Sequence, residues 1–261
     1  MKRRGRPGSL KRWTALLAAG CLAITAAPQT FAAGTSAQSQ EAAFAIGDLT
    51  VEYQKNPLGL ETGSIHFGWK MSSRLIGTVQ TAYQIRVFEE SSQQPVWDSQ
   101  KVENSRSVGI PYGGDEALKE GTRYRWEVTV WDQDGHSEVS DPAYFETGVT
   151  HLQEWTDAQF IRLNNSRSAP IFRTEQNLRE GGKISAARLY ITSLGAYQAY
   201  INGQQVGEIQ EDGTSVYHHM NPGYGNKDMS LGYQAYDVTS LLAGSEKAAL
   251  SVVAGTGWDY G

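Results

Sequence analysis

Residues 118–130 read Leu-Lys-Glu-Gly-Thr-Arg-Tyr-Arg-Trp-Glu-Val-Thr-Val. From Tyr124 on, every second residue is apolar (Tyr124, Trp126, Val128, Val130), and the residues between them are Arg, Glu and Thr. A period of two sends alternate side chains to opposite faces of an extended chain, so this stretch predicts a strand with one buried face. Tyr83-Gln-Ile85-Arg-Val87 and Ile65-His-Phe67-Gly-Trp69-Lys-Met71 repeat the pattern. Turn chemistry bounds these runs at Asn56-Pro57, Gly113-Gly114-Asp115, Asp134-Gly135 and Asp141-Pro142. Short alternating strands with such punctuation predict an antiparallel β-sandwich over residues 46–149. Trp69 and Trp126 are expected in its core, because Trp on an alternating strand fills a sandwich more often than it faces a ligand. No long amphipathic helix is predicted before Thr150.

The lead-in Leu118-Lys-Glu-Gly121-Thr-Arg-Tyr124 resembles the corner before the penultimate strand of fibronectin III/Ig-like domains. The expected role of Tyr124 is structural: its hydroxyl bonds back to the upstream backbone while its ring covers the core. Asp134-Gly135-His136-Ser137 then turns the chain into the last strand, around Tyr144–Thr147. The Asp132-Gln-Asp134-Gly135 turn has the acidic look of a calcium loop but lacks the later ligands and the bidentate Glu. It is read as a turn, and no metal or cofactor is expected.

Working outward, residues 1–32 hold six basic residues and no acid, with the apolar run Trp13–Ala27 behind them. That run is too short to span a bilayer, which takes about 20 apolar residues, and reads as a secretory signal peptide. Thr30-Phe31-Ala32 places cleavage after Ala32; a lipobox-like Ala18-Ala19-Gly20-Cys21 offers lipoprotein anchoring as the less favoured alternative. Residues 33–45 are a small-residue linker. The formal net charge of −5 hides an asymmetry: past residue 32 the chain carries 17 basic and 28 acidic residues, net −11. A body this acidic is a poor partner for nucleic acid or anionic lipid, and no membrane span is expected. Cys21 is the single cysteine, so thiolate nucleophiles, cysteine metal sites and disulfides are excluded from the mature chain.

The second module, residues 150–261, is again read as β. Ala187–Ile191 and Ala196–Ile201 are strand-like pieces joined at Gly195, Asn202-Gly203 is a two-residue hairpin signal, and Ala249–Ala254 is a further strand. Five or six strands fall short of the eight of a jelly roll, so the expectation is a galactose-binding-like jelly-roll β-sandwich incomplete at its C-terminal end. The fold class is thus all-β throughout.

A series of short pieces now carries a family resemblance. Asn56-Pro57-Leu58-Gly59, Phe67-Gly-Trp69-Lys-Met, Gln80-Thr-Ala-Tyr83-Gln-Ile, Val96-Trp97-Asp98-Ser99 and Thr147-Gly148 resemble the opening domain of bacterial α-L-rhamnosidases of glycoside hydrolase family 78. Ala169-Pro-Ile-Phe172-Arg173, Ala187-Arg-Leu-Tyr-Ile, Ala199-Tyr-Ile-Asn202-Gly203, Tyr236-Asp-Val-Thr239 and Gly255-Thr-Gly257-Trp258 resemble that family's N-terminal β-sandwich module. Each piece is weak alone; their order over Leu49–Gly261 is specific. One segment departs: Asn221-Pro222-Gly223-Tyr224-Gly225-Asn226 stands where the family often carries a Pro-Gly-Trp-Thr-Asp-Tyr-like run.

The resemblance implies an inverting glycosidase acting on terminal α-L-rhamnosides, in which an acid and a base flank the scissile bond. It also implies that this pair lies on a C-terminal helical (α/α)6 barrel, a partner missing from these residues, so no catalytic residue is assigned within 1–261. The role implied for the chain is accessory: scaffolding that barrel and recognising rhamnose-containing glycans or glycosides. The alternative is a non-enzymatic secreted carbohydrate-binding or adhesion module. Other chemistries lack their motifs, with no His-Glu-x-x-His, no Gly-x-Ser-x-Gly and no phosphate-binding loop. Trp258, Asp259 and Tyr260 are the sugar-contact candidates, combining stacking faces and an acceptor on a Gly-bracketed loop. Tyr224 and Tyr217 are weaker ones, and capping of the core is the competing role for Trp258.

Overall fold

The structure, a computed structural model, describes residues 44–149, 155, 158–163, 169–178, 183–210, 212–223 and 231–257. The signal-peptide reading of 1–32, Cys21 and most of the linker lie outside the described residues. Among those described, no helix is long and apolar enough to cross a membrane.

The first module contains β1 (Ala45–Val51), β2 (His66–Ser72), β3 (Gln80–Glu89), β4 (Pro95–Asp98), β5 (Ile110–Pro111), β6 (Arg123–Asp132), β7 (Ser137–Val139) and β8 (Ala143–Glu146). Two antiparallel sheets result, β1-β2-β5 and β4-β3-β6-β7, with β8 also pairing β6. β7 and β8 follow one another along the same edge of β6, opposite Thr129–Trp131 and Arg123–Trp126 respectively. Asp141-Pro142 separates them, and Ser140 holds the break to the ladder by accepting from Val128 N at 3.1 Å. The strand β6 alternates without exception, Tyr124, Trp126, Val128, Val130 and Asp132 being buried. The first four of these side chains meet Val51, Phe67, Trp69 and Ile110 of the facing sheet in a single core. Phe67 lies 4.8 Å from Trp126, centroid to centroid, and Tyr124 stacks on Phe145 at 5.2 Å. Full burial of each such side chain contributes about 1.5–3 kcal/mol.

Tyr124 forms the expected corner: its hydroxyl accepts from Lys119 N at 2.8 Å. Trp69 is buried, and its indole N–H donates to Gln80 at 2.9 Å, which keeps a polar group satisfied inside the sandwich. Asp132 takes the next inward position of β6. Its carboxylate accepts from Asp134 N, His136 N and the His136 ring, each at 2.9 Å. These three bonds define the turn into β7. Asp132, Asp134 and His136 cluster tightly enough to suggest a metal site, but the Asp132 oxygens already serve the turn.

The second module contains β9 (Ile171–Asn177), β10 (Arg188–Ile191), β11 (Ala196–Ile201), β12 (Gln204–Gln205), β13 (Glu208–Ile209), β14 (Ser215–Val216), β15 (Gln234–Asp237), α1 (Thr239–Leu242) and β16 (Lys247–Gly255). A four-stranded sheet, β12-β11-β16-β9, is accompanied by the two-stranded ribbons β10-β15 and β13-β14. Asn202-Gly203 makes the expected hairpin loop, with φ of 50° and 83° that this tight turn requires. The Asn202 side chain adds what the sequence does not announce: it accepts from Ala249 N and donates to Lys247 O, tying the hairpin to β16. The run after Tyr236 leaves the sheet at Asp237, whose carboxylate accepts from Thr239 N and opens the helical turn α1. His218 and His219 follow β14. A separate core gathers Tyr197, Ala199, Ile201, Val206, Tyr236, Val238 and Leu242.

Candidate functional site: the junction of the two sandwiches

The ribbon β10-β15 has no free face. With Arg188 opposite Asp237, Leu189 opposite Tyr236 and Tyr190 opposite Ala235, the period of two sorts its side chains. Leu189, Ile191 and Tyr236 join the second core. Arg188, Tyr190, Ala235 and Asp237, on the other face, meet the end of β8 in the first module.

That end is itself a built feature. Leu60 runs parallel to Thr147, with Glu146 N donating to Pro57 O, Leu60 N to Glu146 O and Gly148 N to Leu60 O at 2.7–3.0 Å. Asn56 accepts from Tyr144 N at 2.9 Å. The Asn56–Gly59 and Thr147-Gly148 signatures therefore lie side by side and form one wall of the junction. Gly59 has φ +74°, and a Cβ there would stand 3.2 Å from the Ala235 methyl. A Cβ on Gly148 would stand 2.1 Å from the Tyr233 hydroxyl and 3.0 Å from Gly59 O. Only glycine lets the two modules approach this closely.

Charge locks the approach. Arg188 Nε lies 3.0 and 2.9 Å from the two Glu146 oxygens, and its Nη1 lies 3.0 Å from Asp237. The Arg188 and Glu146 side chains are only 11% and 7% exposed. Tyr190 donates to Glu146 at 3.1 Å. Burial, and then the neighbouring Glu146 carboxylate, push the Tyr190 phenol up to about 12, so it remains the donor. Beyond this, the Tyr233 hydroxyl accepts from Val149 N at 2.9 Å, and the Trp155 indole donates to Val149 O at 3.0 Å while packing edge-on against Tyr233. Burial raises the Tyr233 phenol too.

The Glu146 carboxylate is engaged by the Arg188 guanidinium and the Tyr190 hydroxyl, so its bonds hold the two modules together. The chemistry of this site is positional. It fixes the angle between two sandwiches.

Among the sugar-contact candidates, Trp258, Asp259, Tyr260 and Tyr224 lie outside the described residues. Tyr217 is described, 42% exposed beside the β13-β14 ribbon. Upstream of Trp258, the Gly255–Gly257 run packs backbone against Gly195, where a Cβ would stand 2.1 Å from Gly255 O. Asn221 and Pro222 of the departing segment accept from Tyr197 N and the Gln234 amide. Sequence reasoning missed Glu146, Arg188, Tyr190 and Tyr233. Their one visible trace is the alternation of Arg188 and Tyr190 with Leu189 and Ile191 on a strand that should otherwise show water-facing residues.

Residues 46–151 match the family described as Rha78A-like, N-terminal immunoglobulin domain, and residues 182–261 match the alpha-L-rhamnosidase N-terminal domain. An alpha-L-rhamnosidase of Formosa agariphila is 32% identical over 238 residues, covering 80% of this chain and 24% of its own length. One of Streptomyces avermitilis is 43% identical over 136 residues, covering 51% of this chain and 12% of its own. The chain thus spans about a quarter or less of these relatives. The solved α-L-rhamnosidase of Dictyoglumus thermophilum superposes with a TM-score of 0.67 at 28% identity, over 81% of this chain and 25% of that one. The native enzyme of Aspergillus terreus gives 0.65 at 29% identity, over 83% and 24%. An immunoglobulin-like domain of the Rha78A-like type followed by an alpha-L-rhamnosidase N-terminal domain, in this order, gives the chain the domain arrangement found at the N-terminal end of α-L-rhamnosidases.

Proposed function

We propose that the chain is the accessory, substrate-recognition portion of a secreted enzyme that hydrolyses terminal α-L-rhamnosides with inversion. The observation that carries this reading is the junction. The pieces that resemble α-L-rhamnosidases, Asn56–Gly59, Thr147-Gly148 and the Arg188–Ile191 strand, are residues that weld the two modules. Such welding presents a fixed surface to whatever it supports. In this reading residues 1–32 are the export signal, 46–149 and 150–261 are the two modules, and the acid and base lie on a C-terminal barrel. The test compares hydrolysis of an aryl α-L-rhamnoside by residues 1–261 and by the product of the whole reading frame. Turnover by the longer chain, with inversion at the anomeric carbon and none from 1–261, is the expected result. Turnover by 1–261 alone, or an inactive full product, overturns the reading.

A further inference from the structure

Beside the junction runs an open groove of about 930 Å³, at the upper end of the range for ligand pockets. Its floor is the end of β8 and the outer edge of β15, both held in place by the Arg188 lock. One wall carries Arg123 and Tyr144. The other is the β13-β14 ribbon, which presents Glu208, Gln210 and Asp212. Arg123 lies 4.8 Å over the Tyr144 ring, so a cation and an aromatic face form one surface on that wall. The opposite wall offers a carboxamide and two carboxylates, all on exposed residues.

This chemistry selects among ligands. Of the groove's four lining carboxylates, Glu146 and Asp237 are held by Arg188, which leaves Glu208 and Asp212 beside Lys55 and Arg123 and no excess of cations to draw phosphate- or sulfate-bearing chains. Polar and apolar groups share its lining, which suits a polyol better than an amphipathic helix or acyl chain that must bury a wholly apolar face. Carboxylates and an amide facing a guanidinium across a trough can instead accept from and donate to vicinal hydroxyls, while an aromatic–guanidinium surface takes the C–H face of a ring. We propose that this groove binds a neutral saccharide chain. The choice of rhamnosides as probes rests on the function proposed above; the groove's own chemistry specifies only an uncharged polyol larger than one ring.

The test is amide-resolved NMR of the chain titrated with an α-L-rhamnosyl disaccharide, with L-rhamnose and maltose in parallel. Saturable shifts are expected at residues 208–210, 212, 123 and 144, with half-saturation at about 1 mM. Gln210 is held in its turn by backbone bonds to Thr214 and Gly213 that alanine keeps, so Gln210→Ala is expected to weaken binding about tenfold with the remaining spectrum unchanged, the scale of one hydrogen bond. Glu208→Gln serves as the second variant, and Gln210→Trp is expected to abolish binding by filling the trough. Absence of saturable shifts, shifts confined to residues outside the groove, or unchanged affinity in Gln210→Ala and Gln210→Trp would overturn the site. Binding of maltose equal to that of the rhamnoside upholds the groove. A lack of rhamnosidase activity in the whole reading frame bears on the proposed enzyme and leaves the groove's result standing.

Discussion

Replacing Arg188 by Met tests whether charge welds the two sandwiches. The substitution keeps an aliphatic stem in place and removes both charge-assisted bonds on Glu146 and the link to Asp237. Glu146 then retains the Tyr190 hydroxyl alone, in a position where its side chain is 7% exposed. Stripping one partner from a buried pair costs about 3–5 kcal/mol, because the remaining charge stays desolvated. The molecule has one escape: the modules can part and let water reach Glu146, trading the pair's cost for the remaining junction contacts of Tyr233 and Trp155. Scanning calorimetry and urea titration are therefore expected to show one coupled transition in the parent chain and two in Arg188→Met. The first module, whose core is its own, should unfold last. Glu146→Leu combined with Arg188→Met removes both charges and is expected to recover to within about 1 kcal/mol of the parent, since an apolar replacement of a buried pair is neutral or better. A single Arg188→Met that unfolds in one unshifted transition would refute the lock. A double variant no better than the single would refute the desolvation argument.

Tyr124→Phe removes the acceptor for Lys119 N and is expected to lower the stability of the first module by about 1 kcal/mol without altering the fold, read as a shift in urea midpoint. Gly148→Ala forces a methyl into the Tyr233 hydroxyl and should cost about 1–3 kcal/mol at the junction. Tyr233→Phe in the same chain should recover part of it, and strict additivity of the two changes would contradict the close approach. The turn at Asp132 makes stability depend on pH. Hydrogen bonding and charge from Asp132 hold the His136 imidazolium above its ordinary value of 6.5. Its contribution is therefore complete below about pH 6.5 and lost as pH rises through the higher folded value. Burial alone would raise Asp132, but the bonds from His136 and Asp134 outweigh it and hold the carboxyl below its ordinary value of 3.8. That contribution is present above about pH 3.8 and fades as pH falls through the lower folded value. The unfolding midpoint should decline above pH 6.5 in the parent and stay flat there in His136→Gln.

The first sandwich was legible because its information is local and repetitive. β6 states its buried face four times over, and Tyr124 sits at a corner whose chemistry is confined to six residues. The second module was legible in its hairpin at Asn202-Gly203 and in β11, but not at α1, where the bond from Thr239 N to Asp237 opens a helical turn that no sequence period announces. The junction was nearly invisible. What requires glycine at 148 and 59 is a hydroxyl and a methyl 85 and 176 residues further along. The partner of Glu146 is Arg188, 42 residues away. Pairings across modules leave no period to read.

A ribbon with one face in its own core and the other against the end of the neighbouring module also bears on how such proteins can be recombined. A domain is portable when it can be cut out without exposing what it was built on, and the second module fails that condition. Transplanted alone, it would carry Arg188, Tyr190 and Ala235 into water and leave a bare patch of mixed charge where Glu146 and Gly148 had been. The pair of modules is thus the unit of exchange, in natural shuffling and in engineered chimaeras alike. A fusion point placed between Val149 and Arg188 divides a single object, whereas one placed before Phe44 leaves both cores and their common wall intact.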